Sequence, residues 1–324
     1  MNRRLIFFDE IQNLANWHLY LKRLHVKGYQ IYVTGSNAKL ISREIATFLK
    51  GRSLETSIYP FSFTEFLQLK NIEFQPKDYI INQPKIINLF DEYLLYGGFP
   101  EVIKVSKDEK RAVAKNIYNL LFYKDLVAKF DKDDFLLKLV LSKIAENITK
   151  DFSVTSLANK IMTVYKTTVP TVTDYFNILP EPFLTTNIYQ YRASFVQRES
   201  KRKTYLADNS FIWLNRVSPD ISRLFENLVF NFLKRKHEEI FYYKTTNNLE
   251  VDFFINETNS KLLIQASYSP ESTETRDTEI KALLKAMEEQ NLDFGIVYTH
   301  NYEEEITTGS KKINIIPFWK VLSE

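Results

Sequence analysis

One short run leaves the chain little freedom: Leu5-Ile6-Phe7-Phe8 leads without a break into Asp9-Glu10. Four successive apolar residues predict a strand buried on both faces, and two carboxylates at its end predict acid delivered to the C-terminal edge of a parallel α/β sheet. An aspartate so placed can hold Mg²⁺ through coordinated water, and a glutamate beside it can orient a water against a phosphate. The plainer alternative is a strand that stops at a helix, with Asp9 as N-cap and Glu10 against the positive helix end. Farther on, Trp17, Tyr20, Leu21 and Leu24 fall at i, i+3, i+4 and i+7 ahead of Gly28, which predicts an amphipathic helix. A second strand, Gln30 to Val33, ends in Thr34-Gly35-Ser36-Asn37 and brings small polar side chains to the edge that carries Asp9.

A helix is predicted from about Leu40 to Leu49, leading to Gly51-Arg52. At this point the chain resembles the AAA-type ATP-binding proteins that carry a C-terminal domain of unknown function. The resemblance rests on LIFFDEIQN (Walker B), VTGSN (sensor 1), LKGR, YPFSFTEFL and YGGFPEV, in that order, and covers nearly the whole chain. It implies an α/β protein: the C-terminal part of a P-loop AAA-type domain, then a helical and winged-helix region, then an α/β restriction-endonuclease-like domain. It also implies ATP and Mg²⁺ as cofactors. By the same resemblance Asp9 is the Mg²⁺ residue, Glu10 orients water, Asn37 is a sensor and Arg52 a finger toward a neighbouring subunit.

The chain departs from that family at one place. A P-loop ATPase needs a GxxxxGK[ST] turn before Walker B to cradle the phosphates, and only Met1 to Arg4 precede Leu5. The seven glycines, Gly28, Gly35, Gly51, Gly97, Gly98, Gly295 and Gly309, nowhere form the pattern. The expectation is a truncated AAA-type protein, inactive as given, that binds no ATP. A non-catalytic module that binds DNA or protein is the alternative.

Composition narrows the classes. With no cysteine there is no disulfide scaffold, thiolate metal site or cysteine nucleophile, and His18, His25, His237 and His300 make no zinc-ligand spacing. The apolar run at the N-terminus is too short for a secretory signal, and no run approaches a membrane span. A cytoplasmic protein without a membrane partner is expected. Forty-three basic and 40 acidic residues give a net charge of +3, so any nucleic-acid face must be local.

Ser53 to Ile58 alternates as a strand should. Ser62-Phe63-Thr64-Glu65 reads as a capping box, with Phe61 and Phe66 placed as its hydrophobic staple. Helices follow over about Lys85 to Leu95, Glu109 to Lys129 and Asp134 to Asn147. Residues 151–208 resemble a winged helix: a capped helix through Leu157 and Ile161, a second from about Pro170 to Leu179, and wing strands Leu184 to Tyr191 and Lys203 to Ala207. DNA is one of two partners such a region can take, with the basic loop Arg198 to Lys203 on phosphates and Thr171 and Thr173 facing a groove. Protein docking is the alternative, since the second helix carries Asp174 and no basic residue.

The last third resembles a restriction-endonuclease core, with Glu226 on an apolar helix, Asp252 closing Leu249 to Asp252, and Ile264-Gln265-Ala266-Ser267 ending the next strand. In active members of that fold an Asp and a Glu two residues before a Lys hold the metal, and the Lys orients water. Gln265 and Ser267 stand at the latter two positions, so the nuclease site is expected to be degenerate, with Lys244 or Lys261 as remote substitutes for the lost lysine. The divisions expected are 1–70 (partial AAA-type core), 71–133 (helical lid and bridging helices), 134–208 (winged-helix region) and 209–324 (nuclease-like domain). Self-association through Arg52 or an open strand edge is a further expectation.

Overall fold

The computed structural model describes residues 4–35, 53–72, 82–191, 194, 201–214, 220–258, 260–269 and 273–322. Asn37, Arg52, the helix predicted over 40–49 and Arg198 lie outside them.

At the N-terminus β1 (Leu5–Phe8) and β2 (Gln30–Val33) pair in parallel, Leu5 against Gln30 through Phe8 against Val33. The crossover helix α1 (Trp17–Val26) covers one face, where Ile11, Trp17 and Leu21 are buried and Phe8, Ile31 and Val33 pack on them. The expectation that β1 is buried on both faces is not met. Strand side chains alternate, so Leu5 and Phe7 project away from α1. They are 54% and 70% exposed, and the Phe7 ring stacks on Tyr32 at 5.0 Å between centroids. Ser53 to Ile58 likewise enters no ladder among the described residues, and Leu54 and Ile58 are exposed. Alternation supplies an apolar face, but a strand forms only where a neighbouring surface takes it up.

From Phe61 onward one core joins the helices to one face of the large sheet. Helix α2 (Phe63–Leu69) starts at the capping box: the Glu65 amide donates to Ser62 Oγ at 3.2 Å, and the Ser62 amide to Glu65 Oε2 at 2.7 Å. Phe66 is buried in that core and Phe61 packs against it. Helix α3 (Gln83–Tyr96) ends at Gly97, followed by α4 (Pro100–Ile103). Helix α5 (Lys110–Leu120) runs on into a π-helical stretch, Leu121–Ala128, and α6 (Asp134–Glu146) is capped by Asp133. Against α6 pack α7 (Val154–Met162), capped by Ser153, and α8 (Val169–Ile178), capped by Thr168.

The rest is built on one eight-stranded mixed sheet. Its elements in chain order are β3 (Thr185–Gln190), β4 (Arg202–Leu206), α9 (Asn209–Leu214), α10 (Ile221–Lys236), β5 (Ile240–Lys244), β6 (Glu250–Glu257), β7 (Ser260–Ser267), α11 (Thr273–Gln290), β8 (Phe294–Thr299), β9 (Glu304–Thr308), β10 (Lys311–Pro317) and α12 (Phe318–Leu322). The spatial order is β4-β3-β5-β6-β7-β8-β10-β9. Strands β5, β6 and β7 are antiparallel neighbours, while α11 crosses over so that β8 lies parallel to β7. The hairpin β3–β4 joins the same sheet where β3 pairs in parallel with β5. Phe253 and Ile264 face the core shared with α10, whereas Phe254 and Leu263 face Leu283 and Met287 of α11. Burial on both faces is why β6 and β7 carry apolar runs rather than strict alternation.

Candidate functional site

The C-terminal ends of β1 and β2 bring Asp9 and Thr34 together. The Thr34 hydroxyl donates to Asp9 Oδ1 and accepts the Glu10 amide at 3.3 Å, while the Thr34 amide donates to the Phe8 carbonyl at 2.8 Å. Glu10 has φ 49°, a left-handed turn that lifts the chain off the strand into a short 3₁₀ segment, Ile11–Asn13. Asp9 caps no helix, since Glu10 and Asn16 occupy the N-cap positions. The helix-capping alternative for Asp9 is thereby corrected. One carboxylate with a hydroxyl beside it, at the C-terminal edge of parallel strands, is where α/β sheets place ligand-binding groups.

The second and more elaborate cluster lies in the large sheet. Lys203, on β4, is 1% exposed, and its ammonium sits 3.1 Å from Glu226 Oε1, 2.8 Å from Glu250 Oε1 and 3.0 Å from Asp252 Oδ1. Glu226 comes from α10, and Glu250 and Asp252 from alternate positions of β6. Tyr205, two residues along β4 from Lys203, donates its hydroxyl to Glu226 Oε1 at 2.8 Å. Asp252 Oδ2 accepts the Ala266 amide at 3.0 Å. Gln265 is fully engaged: its carbonyl oxygen accepts the Asp252 amide at 3.1 Å and its amide donates to Glu279 of α11. Ser267 lies two residues farther along β7, buried, and brings no charge.

The charges continue outward. Glu250 also pairs with Lys244 at 3.3 Å, Lys244 with Asp151 at 2.9 Å, and Asp151 with the exposed Lys201 at 3.6 Å. Burial and then the field of Asp252 push the Glu226 carboxyl up to about 7, against which Lys203 and the Tyr205 hydroxyl pull. Burial and Asp252 push Glu279 up to about 8. Although burial disfavours a charged ammonium, the surrounding carboxylates hold Lys203 protonated, well above the ordinary lysine value.

Of the residues expected at a nuclease-like site, Glu226, Asp252 and Gln265 converge, and neither Lys244 nor Lys261 stands among them. Lys203 does. Its expected place on phosphates in a basic loop is corrected: the side chain turns inward because β4 is paired and its alternate positions, Lys203 and Tyr205, face α10. Strand alternation through Lys203 and Tyr205 was the sequence signal for this, but nothing local to the lysine named its partners. Thr171 and Thr173 are also engaged, Thr171 with Thr168 at 2.8 Å and Thr173 with the Val169 carbonyl at 2.8 Å, so their hydroxyls serve the helix start. Asp174 pairs with Lys132. Among the described residues no group of three or more His, Cys, Asp or Glu is arranged to hold a metal ion, and no helix is long and apolar enough to cross a membrane.

A family model for an AAA domain matches residues 1–67, one for a domain of unknown function (DUF8612) matches 87–219, and another (DUF4143) matches 222–321. The chain is 33% identical over 335 residues to uncharacterized protein MJ1544 of Methanocaldococcus jannaschii, an alignment spanning 98% of this chain and 74% of that protein. An uncharacterized protein of Haemophilus influenzae is 29% identical, covering 83% of this chain and 67% of its own length. Uncharacterized protein MJ1637 of M. jannaschii is 28% identical, covering 90% and 66%. No solved structure matches.

Proposed function

The chain belongs to the same family as MJ1544, with an AAA domain ahead of two domains of unknown function, and from that premise we propose that it is a binding member of an AAA-type family that does not cut nucleic acid and whose 324 residues do not by themselves supply an ATP-hydrolysing site. The observation that carries this reading is Lys203 lodged within 3.1 Å of Glu226, Glu250 and Asp252. A nuclease metal needs those carboxylate oxygens and a free oxygen at Gln265. Here an internal ammonium takes the cation's place, and Gln265 has spent both ends of its amide. The helix, three antiparallel strands, crossover helix and parallel strand from α10 to β8 support a restriction-endonuclease-like domain. The pair α7 and α8 followed by the hairpin β3–β4 supports a winged-helix region.

For ATP and Mg²⁺ the residues present fit in part. Asp9 would hold the ion through water, and Glu10 would orient a second water. Asn37 and Arg52 keep their proposed sensor and finger roles by family resemblance alone. The 324 residues contain no GxxxxGK[ST] turn, so amides and lysine to cradle the phosphates are not supplied by them, and no hydrolytic step is assigned. The chain is therefore read as the effector part of an ATP-responsive architecture, with DNA or protein bound by the winged-helix side.

The test is to incubate the full chain with Mg²⁺ or Mn²⁺ and duplex or single-stranded DNA, and separately with Mg²⁺ and ATP. Neither cleavage nor phosphate release is expected. Metal-dependent cleavage abolished by Asp252→Ala, or ATP turnover abolished by Glu10→Gln, overturns the reading. DNA binding shows as a mobility shift that weakens with salt.

A further inference from the structure

Where the last turn of α10 meets the start of β3, two cavities of about 350 and 290 Å³ adjoin and share Phe183 and Thr186 in their walls. They have no lining residue in common with the Asp9 edge or the Lys203 cluster. Their size is that of small-ligand sites. Tyr59 and Phe183 give the larger cavity two aromatic walls, and Lys234 and Arg235 give it two cations. Arg235 is committed, since its guanidinium lies 5.3 Å above the Tyr59 ring and donates to the Pro60 carbonyl. Lys234 is not. Its side chain is half-buried, yet its ammonium has no carboxylate or carbonyl partner among the described residues. Glu55 stands in the same wall, and Glu181 lines the adjoining cavity.

Two further features point to an occupant. Thr185 lines the adjoining cavity and is only 3% exposed, but its hydroxyl has no hydrogen-bond partner among the described residues. Buried hydroxyls are normally paired, so this one marks a place that a polar ligand atom would complete. Phe183, on the shared wall, is 46% exposed with φ 58°, a left-handed conformation that bulky residues rarely adopt.

We propose that this groove binds a nucleotide. The base lies against Phe183 and Tyr59, because every base offers a face for aromatic stacking. The phosphate meets Lys234, which gains a charge partner that none of the described residues gives it. Glu55 accepts from an amino group on the base, which favours adenine or cytosine over thymine. A free mononucleotide and the 5′-phosphorylated end of a strand present the same chemistry.

The full chain is titrated calorimetrically with 5′-AMP and, separately, with a 5′-phosphorylated oligo(dA). Saturable binding of at least one is expected, weakened about tenfold by Lys234→Ala and restored by Lys234→Arg. AMP alone identifies a free nucleotide as ligand, and the oligonucleotide alone identifies a strand end. Asp9→Asn separates this groove from the AAA-type edge, since nucleotide held here stays bound in that variant. If neither probe saturates, or if binding is lost with Asp9→Asn and untouched by Lys234→Ala, the assignment is overturned.

Discussion

Asp208 reaches across 110 residues of sequence to accept the Gly98 amide, Oδ2 to N at 2.8 Å, while its Oδ1 accepts the Ser210 amide and hydroxyl at 2.9 and 2.6 Å. The carboxyl is buried and its pKa raised by that burial, with the hydrogen bonds opposing. Gly97 lies against it with φ 75°, and a Cβ there would collide with the carboxylate, just as one on Gly98 would collide with the Phe61 carbonyl. The two glycines of the YGGFP segment are thus places where backbone meets fixed polar groups.

Gly97→Ala and Gly98→Ala are each expected to lower stability by about 2–4 kcal/mol, since neither the left-handed turn nor the close approach tolerates a methyl group. Urea unfolding checks this: the midpoint should fall with the slope unchanged.

Lys203→Met leaves three carboxylates facing one another without their cation, and about 3–5 kcal/mol of destabilisation is expected at neutral pH. Glu250→Gln is the contrasting change. Glu250 is the most exposed of the lysine's three partners, so its loss should cost about 1 kcal/mol or less. Equal effects of the two substitutions in chemical denaturation would show that the cluster is not centred on the lysine.

Stability should fall as pH rises from about 4.5 to about 8. Glu226 and Glu279 have folded-state values of about 7 and about 8 against an ordinary 4.5, so the folded protein holds protons that the unfolded chain releases. Their contribution is whole below 4.5 and is lost as the pH passes through the folded values. The expected loss across that window is several kcal/mol, and Glu279→Gln should flatten it. Melting temperatures measured from pH 5 to pH 8 decide the matter. A rise over that range would contradict the arrangement.

Helix starts were the most legible part of the sequence. Ser62 and Ser153 each accept an amide within their own first turn, so a few neighbouring residues determine the outcome; Asp133 and Thr168 do the same and were not picked out from the sequence. Glu226, Asp252 and Gln265 could be grouped in the sequence through the resemblance of the last third to a restriction-endonuclease core. Lys203 could not, because its partners lie 23, 47 and 49 positions away and only the completed sheet turns β4 toward them. The exposed face of β1, and Ser53 to Ile58, which enters no ladder among the described residues, depart from the sequence expectation for a related reason. An apolar run or an alternating one states what a segment would bury, and not which neighbouring surface takes it up.

The hairpin β3–β4 has a consequence for dissecting the gene. Because β3 is hydrogen-bonded to β5 through Tyr189–Phe241 and Gln190–Tyr242, and because β4 carries the ammonium at the centre of the carboxylate cluster, a coding boundary at 208/209 would divide a folding unit rather than separate two. A fragment beginning at Asn209 would inherit a raw strand edge along β5 and an acidic hole with no lysine to fill it.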